Sequence, residues 1–179
     1  MYKEVVRLKI KTKNKTTMIF FIVIVVFCMV GFVWQRYFWF DLQYDGYITQ
    51  CCNEQKVSKS LVYAIVKAES NFDVKALSNK GAVGLMQIMP STATFVANQV
   101  GLQNFDLTNP KDNITLGVAY LSYLGKKFDN QKEVICAYNA GETKVKEWVK
   151  TDGKIPYPET KTYLKRVTLN QKIYNALHK

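Results

Sequence analysis

In VYAIVKAES (Val62–Ser70) the apolar residues recur at helical spacing. At about 100° per residue, Val62, Ile65 and Val66, with Leu61 just before them, share one arc. Glu69 falls in the middle of that arc, while Lys59, Ser60, Lys67 and Ser70 lie opposite. A core-facing stripe that includes a carboxylate needs a reason, because an ionised group without a partner is costly to bury. Ser58 stands where an N-cap belongs, and Asn71-Phe72 reads as the helix end.

The pattern outward from this helix is also helical. A linker over residues 41–56 runs into a short helix around Tyr47–Gln55. Asn71–Gly84 is irregular, with Asn79, Gly81 and Gly84 as turn formers. Pro90 suits the first turn of a helix through about Gln99. Asn109-Pro110 opens another, on which Ile114, Gly117, Val118, Leu121, Leu124, Gly125 and Phe128 make a buried face. Shorter helices are expected over Glu133–Ala140 and Thr143–Lys150. A last one follows Pro156 and Pro158, with Tyr163, Val167 and Tyr174 at helical spacing. Strand signals are weak, so residues 57–179 read as one mainly α domain.

The amino-terminal part differs. Residues 1–17 are basic, with Lys3, Arg7, Lys9, Lys11, Lys13 and Lys15 against Glu4. No charge then occurs until Arg36, and MIFFIVIVVFCMVGFVW has the length and composition of a bilayer-crossing helix. The positive-inside rule leaves the amino terminus in the cytoplasm and exports the rest. Trp34, Tyr37, Phe38 and Trp39 suit the outer interface. Bulky aromatics follow the apolar run where a cleaved signal peptide has small residues, so residues 18–40 read as a retained anchor in the cell membrane.

The formal charge is +11, but the basic residues beyond the anchor are dispersed and exported, which argues against nucleic acid as a partner. An exported basic surface suits anionic wall polymers, or is simply solvated. Cys28 lies in the apolar run; Cys51 and Cys52 are adjacent, and Cys136 sits in an apolar stretch. A disulfide between Cys136 and one of the adjacent pair is compatible with export, and so are buried free thiols. His178 is the only histidine, which removes zinc-ligand spacing and Ser-His or Cys-His catalysis.

Glu69 therefore carries the chemical interest. Burial and the negative end of its helix both disfavour ionisation, pushing its pKa toward neutrality, where a general acid works best. Lys67 and Lys75 oppose that shift if they come close. Asp73 is the nearest second carboxylate, and it shares a face with Glu69 only if the helix continues past Asn71.

Four blocks, AESNF, GAVGLMQIMPSTA, AYNAG and PETKTYLKRV, occur in that order between Val57 and Asn175. Together they resemble the soluble-type, goose-lysozyme-like lytic transglycosylases. The resemblance implies a lysozyme-like helical fold behind the anchor. It also implies that peptidoglycan glycan strands are the substrate, cut between N-acetylmuramic acid and N-acetylglucosamine, with no metal or organic cofactor. By the same resemblance Glu69 is the sole catalytic carboxylate. Ser78 contacts the substrate's acetamido region, and Gln87 and Met89 line the sugar groove. Tyr138 and Asn139 lie beside the acid and substrate, Tyr163 lies near the acid, and Glu159 is mainly structural.

Each residue also has a plainer reading. Met86 and Met89 suit core filling, Tyr138 and Tyr163 packing, Ser78 a turn, and Glu159 the start of the last helix. Two flanking carboxylates are the usual glycosidase equipment. With one, the same group protonates the leaving oxygen and later removes a proton from the sugar's own 6-hydroxyl, giving a 1,6-anhydro product. The alternative is a muramidase that uses water on the same bond.

Overall fold

The computed structural model describes residues 15, 17–34, 44–151 and 153–177, the side chain of Leu177 excepted. The basic residues of positions 1–14, the aromatics Tyr37, Phe38 and Trp39, and His178 lie outside the described residues. The chain divides into two compact units, residues 1–43 and 44–179.

The first unit contains α1, Thr17–Trp34, an 18-residue helix long and apolar enough to cross a membrane by length and composition. Its side chains are exposed on every face, with Phe20, Phe21, Val25, Val26 and Phe32 each half-exposed or more. A helix apolar all round has no polar face to give to water.

The second unit is built from α2 (Asp45–Gln55), α3 (Lys59–Glu69), α4 (Pro90–Val100), α5 (Pro110–Gly125), α6 (Gln131–Ala140), α7 (Glu142–Thr151) and α8 (Pro158–Leu177). Among the described residues only isolated β-bridges occur, pairing Leu77 with Val83 and Val83 with Ile88. The fold is mainly α, as the sequence pattern predicts. The short helix expected around Tyr47–Gln55 is α2, which begins two residues earlier at Asp45, packs on α5 and α3 and buries Ile48, Cys51 and Cys52. Only those three of its eleven residues are buried, so its apolar pattern is thin.

Helix α3 is buried more completely than a single stripe implies. Leu61 through Val66 are all buried, because α8 covers one side while α2 approaches another. Ser58 occupies the N-cap position, but its hydroxyl meets that of Ser60 at 3.0 Å instead of a backbone N–H. The caps of α5 and α6 do use side chains. Asn109 accepts from the Lys111 N–H at 2.9 Å and Asn130 from that of Glu133 at 3.0 Å. Leu116 is buried along with the predicted face of α5, whereas Gly125 is exposed at the helix end. Cys51, Cys52 and Cys136 are buried free thiols, so no disulfide links them.

Candidate active site

The site begins where α3 stops. Asn71 and Phe72 both take positive φ, 52° and 66°, so the helix cannot run past Glu69 and Asp73 is not carried onto its face. The Phe72 side chain is buried in spite of this backbone, with its ring 6.3 Å from that of Tyr63. Ser70 fastens the turn to the following loop: its hydroxyl donates to the Leu85 carbonyl at 2.8 Å.

Glu69 is partly buried. Tyr163, from α8, donates its hydroxyl to Glu69 Oε1 at 2.6 Å. Burial raises the Glu69 pKa to about 7, against the hydrogen bond from Tyr163 and the positive charge of Arg166, which both lower it. The opposing cation thus comes from α8, and neither Lys67 nor Lys75 is among the influences. No other carboxylate among the described residues acts on it either. Arg166 also lies over the Tyr163 ring at 5.8 Å. Burial raises the Tyr163 phenol well above its ordinary pKa, helped by the adjacent Glu69 charge, so it stays a donor.

The loop between α3 and α4 is held by its own polar groups. Ser78 accepts from the Ala82 N–H at 2.9 Å and from that of Lys80 at 3.3 Å, so its hydroxyl organises a turn. Gln87 has φ of 47°, and its Nε2 donates to the carbonyls of Ala76 and Gly84, each at 3.0 Å. That spends its amide nitrogen on the loop and leaves the side-chain oxygen as the acceptor it can offer a ligand. Met89 ends the loop at the N-cap of α4 and is 38% exposed, while Met86 is fully buried.

Asn113 of α5 organises this loop from below, a role the sequence reading did not assign. It is 1% exposed. Its Oδ1 accepts from the Met86 N–H at 2.8 Å, and its Nδ2 donates to the carbonyls of Val83 (2.9 Å) and Leu107 (2.8 Å). The loop sits so tightly on it that a Cβ on Gly84, where φ is +77°, would lie 2.3 Å from Nδ2. A Cβ on Gly117 would similarly meet the Met86 sulfur at 2.3 Å. The signal was present: Asn113 precedes Gly117 by four residues on the apolar face of α5.

From α6, Tyr138 donates its hydroxyl to the Met86 carbonyl at 2.8 Å. Burial first, then the charge of Glu69, pushes its pKa up, so the ring stands in the electrostatic reach of the acid. Asn139 Oδ1 accepts from the Thr160 hydroxyl at 2.9 Å, tying α6 to α8. Glu159 is exposed in the first turn of α8, where a negative charge complements the helix N-terminus. The fold thus brings Glu69, Tyr163 and Tyr138 together and uses Ser78, Gln87 and Asn139 to brace the elements around them. A separate cavity of about 650 Å³, between the α2–α3 and α5–α6 turns, is lined by none of these residues.

Comparison with known proteins gives similarities of sequence and of structure. The family model of the transglycosylase SLT domain matches residues 46–159, well over half of the chain. Soluble lytic murein transglycosylase of Salmonella typhimurium is 34% identical over 143 residues, covering 72% of this chain and 22% of that protein. Membrane-bound lytic murein transglycosylase E of Buchnera aphidicola is 36% identical over 90 residues, 48% of this chain and 41% of that one. Among solved structures, an inactive Glu→Gln variant of the lytic transglycosylase Slt from Pseudomonas aeruginosa superposes with a TM-score of 0.71 at 31% identity. That match covers 75% of this chain and 24% of the other. The chain spans about a quarter of the length of the soluble relatives it matches. By the extent of the family match, this chain belongs to the transglycosylase SLT domain family.

Proposed function

We propose that the chain is a membrane-anchored lytic transglycosylase that cleaves the β-1,4 bond between N-acetylmuramic acid and N-acetylglucosamine in peptidoglycan and leaves 1,6-anhydro ends. The observation that carries this reading is the state of Glu69, a carboxyl with a pKa of about 7, a hydrogen bond from Tyr163 and, among the described residues, no second carboxylate acting on it. Near neutral pH such a group is present in both forms, which suits a residue that must give a proton and then take one.

Protonated Glu69 donates to the leaving glycosidic oxygen as positive charge builds on the muramic sugar. The substrate's own acetamido oxygen stabilises that charge in place of a protein nucleophile. Ionised Glu69 then accepts the proton of the 6-hydroxyl as that oxygen attacks the same sugar. One C–O bond breaks, one forms, and no water is consumed. Tyr163 orients the carboxyl throughout, and Arg166 keeps its pKa from rising further.

Substrate contact falls in this reading to Tyr138, Asn139, Tyr163, the exposed thioether of Met89, the side-chain oxygen of Gln87, and Ser78 on its turn. The names of the Salmonella and Buchnera relatives support the substrate class, and the inactive Glu→Gln variant from Pseudomonas supports dependence on a glutamate. Anchoring, with the catalytic unit outside the membrane, is supported by α1, by the basic residues before it in sequence, and by the membrane-bound Buchnera relative.

The test is digestion of purified peptidoglycan by the full chain in detergent, followed by weighing the products. Anhydro ends are expected. Ends heavier by one water would make the enzyme a muramidase, and a fully active Glu69→Gln variant would remove Glu69 from the mechanism.

A further inference from the structure

Four aromatic rings run in contact away from Glu69. Tyr138, in reach of the acid's charge, has its ring centroid 5.5 Å from that of Tyr120. Tyr120 lies 6.2 Å from Tyr123, nearly parallel to it, one helical turn along α5. Tyr123 meets the ring of Phe95, on α4, edge to face at 5.0 Å.

These rings are not core filling of the kind found elsewhere in the domain. Tyr63, Tyr163 and Tyr174 are at most 5% exposed, whereas Tyr120, Tyr123 and Tyr138 are half-buried and Phe95 is 43% exposed. Tyr123 is also fixed from three sides. Its hydroxyl donates to Glu142 Oε2 at 2.8 Å, Lys127 lies over its ring at 5.2 Å, and Phe95 abuts it. Glu142 in turn is held by Lys146. A ring immobilised before binding loses little freedom when a ligand lands on it.

We infer that Phe95, held by Tyr123, forms a stacking subsite for a sugar of the glycan strand remote from the bond that is cut, and that the row of rings from Tyr138 guides the strand to it. The inference rests on the reading of the chain as a peptidoglycan-cleaving enzyme. A pyranose presents C–H groups on its faces, and the negative face of an aromatic ring is a suitable surface for them. The row starts at Tyr138, which feels the Glu69 charge, and ends at the most exposed of its rings, as a strand-binding track needs. Tyr123 is a positioning residue, acting through Phe95.

The test measures binding, so that it does not depend on turnover. The full chain carrying Glu69→Gln is titrated with glycan strands fractionated by length, with and without Phe95→Ala. The expected result is an affinity that rises with strand length in Glu69→Gln and rises less when Phe95→Ala is added, the longest strands losing about fivefold. Phe95→Trp is expected to restore the length dependence, and Tyr123→Leu to lose it. Equal affinities of the two chains for the longest strands would overturn the subsite. Inactivity of the unmodified chain on whole peptidoglycan, with the length dependence intact, would instead remove the proposed activity and leave the subsite standing.

Discussion

The hydroxyl of Tyr163, on α8, donates to Glu69 Oε1, at the end of α3, across 2.6 Å and 94 residues of sequence. Because it favours the ionised carboxyl, its loss has a predictable sign. In Tyr163→Phe the Glu69 pKa rises above about 7, and the alkaline limb of the activity profile moves to higher pH. Activity at the optimum falls by roughly ten- to a hundredfold, the scale of a hydrogen bond to a charged group. A pH–rate profile of the variant checks both, and a limb that stays put would show that Tyr163 does not tune the acid.

Arg166 acts on the same group by charge alone. Its cation favours ionised Glu69, so Arg166→Gln also shifts the alkaline limb upward, with a smaller loss at the optimum than Tyr163→Phe. Salt dependence separates the two variants, since a partly exposed Coulomb interaction is screened and a short hydrogen bond is not. A downward shift in Arg166→Gln would contradict the assignment.

Glu69 also links folding to pH. Its folded pKa, about 7, lies above the ordinary carboxyl value of 4.5. Between those limits the folded chain binds more protons than the unfolded one, so stability falls as pH rises through that window. Glu69→Gln removes the penalty. It is expected to melt like the parent near pH 4 and to be more stable near pH 8, by about 1–3 kcal/mol. Thermal unfolding at the two pH values measures the difference, and an identical difference at both would show that Glu69 titrates as a free carboxyl.

Asn113 predicts a structural dependence of the site. Asn113→Leu leaves the buried Met86 N–H and the part-buried Leu107 carbonyl without their Asn113 partner, and the Val83 carbonyl with only the Ile88 N–H. Stability should fall by roughly 3 kcal/mol or more, and activity with it. Calorimetry of the variant reads this directly. A loss below about 1 kcal/mol would mean that the loop carrying Gln87 and Met89 has another support.

Much of the helical architecture was legible because it rests on local pattern. The α4 and α5 starts follow from Pro90 and Asn109-Pro110, and the end of α6 from Gly141. The buried row Tyr163, Val167 and Tyr174 of α8 follows from its spacing. Glu69 stood out because a carboxylate interrupted an apolar arc. What the pattern could not supply was pairing between elements. Helix α2 has few apolar residues, and its place against α5 depends on contacts more than fifty residues away in sequence. Sequence proximity offers Lys67 and Lys75 as cations that oppose the shift only if they come close, and the cation that acts on Glu69 is Arg166 of α8. Gln87 and Ser78 carried motif signals, but the commitment of their polar atoms to the loop depends on a backbone course that no periodicity encodes.

The most direct measurement of the central claim is digestion of peptidoglycan by the full chain in water enriched in heavy oxygen. If Glu69 alone transfers both protons and the 6-hydroxyl is the nucleophile, the new ends contain no solvent oxygen and are lost in Glu69→Gln. Heavy oxygen at the new ends would contradict the account.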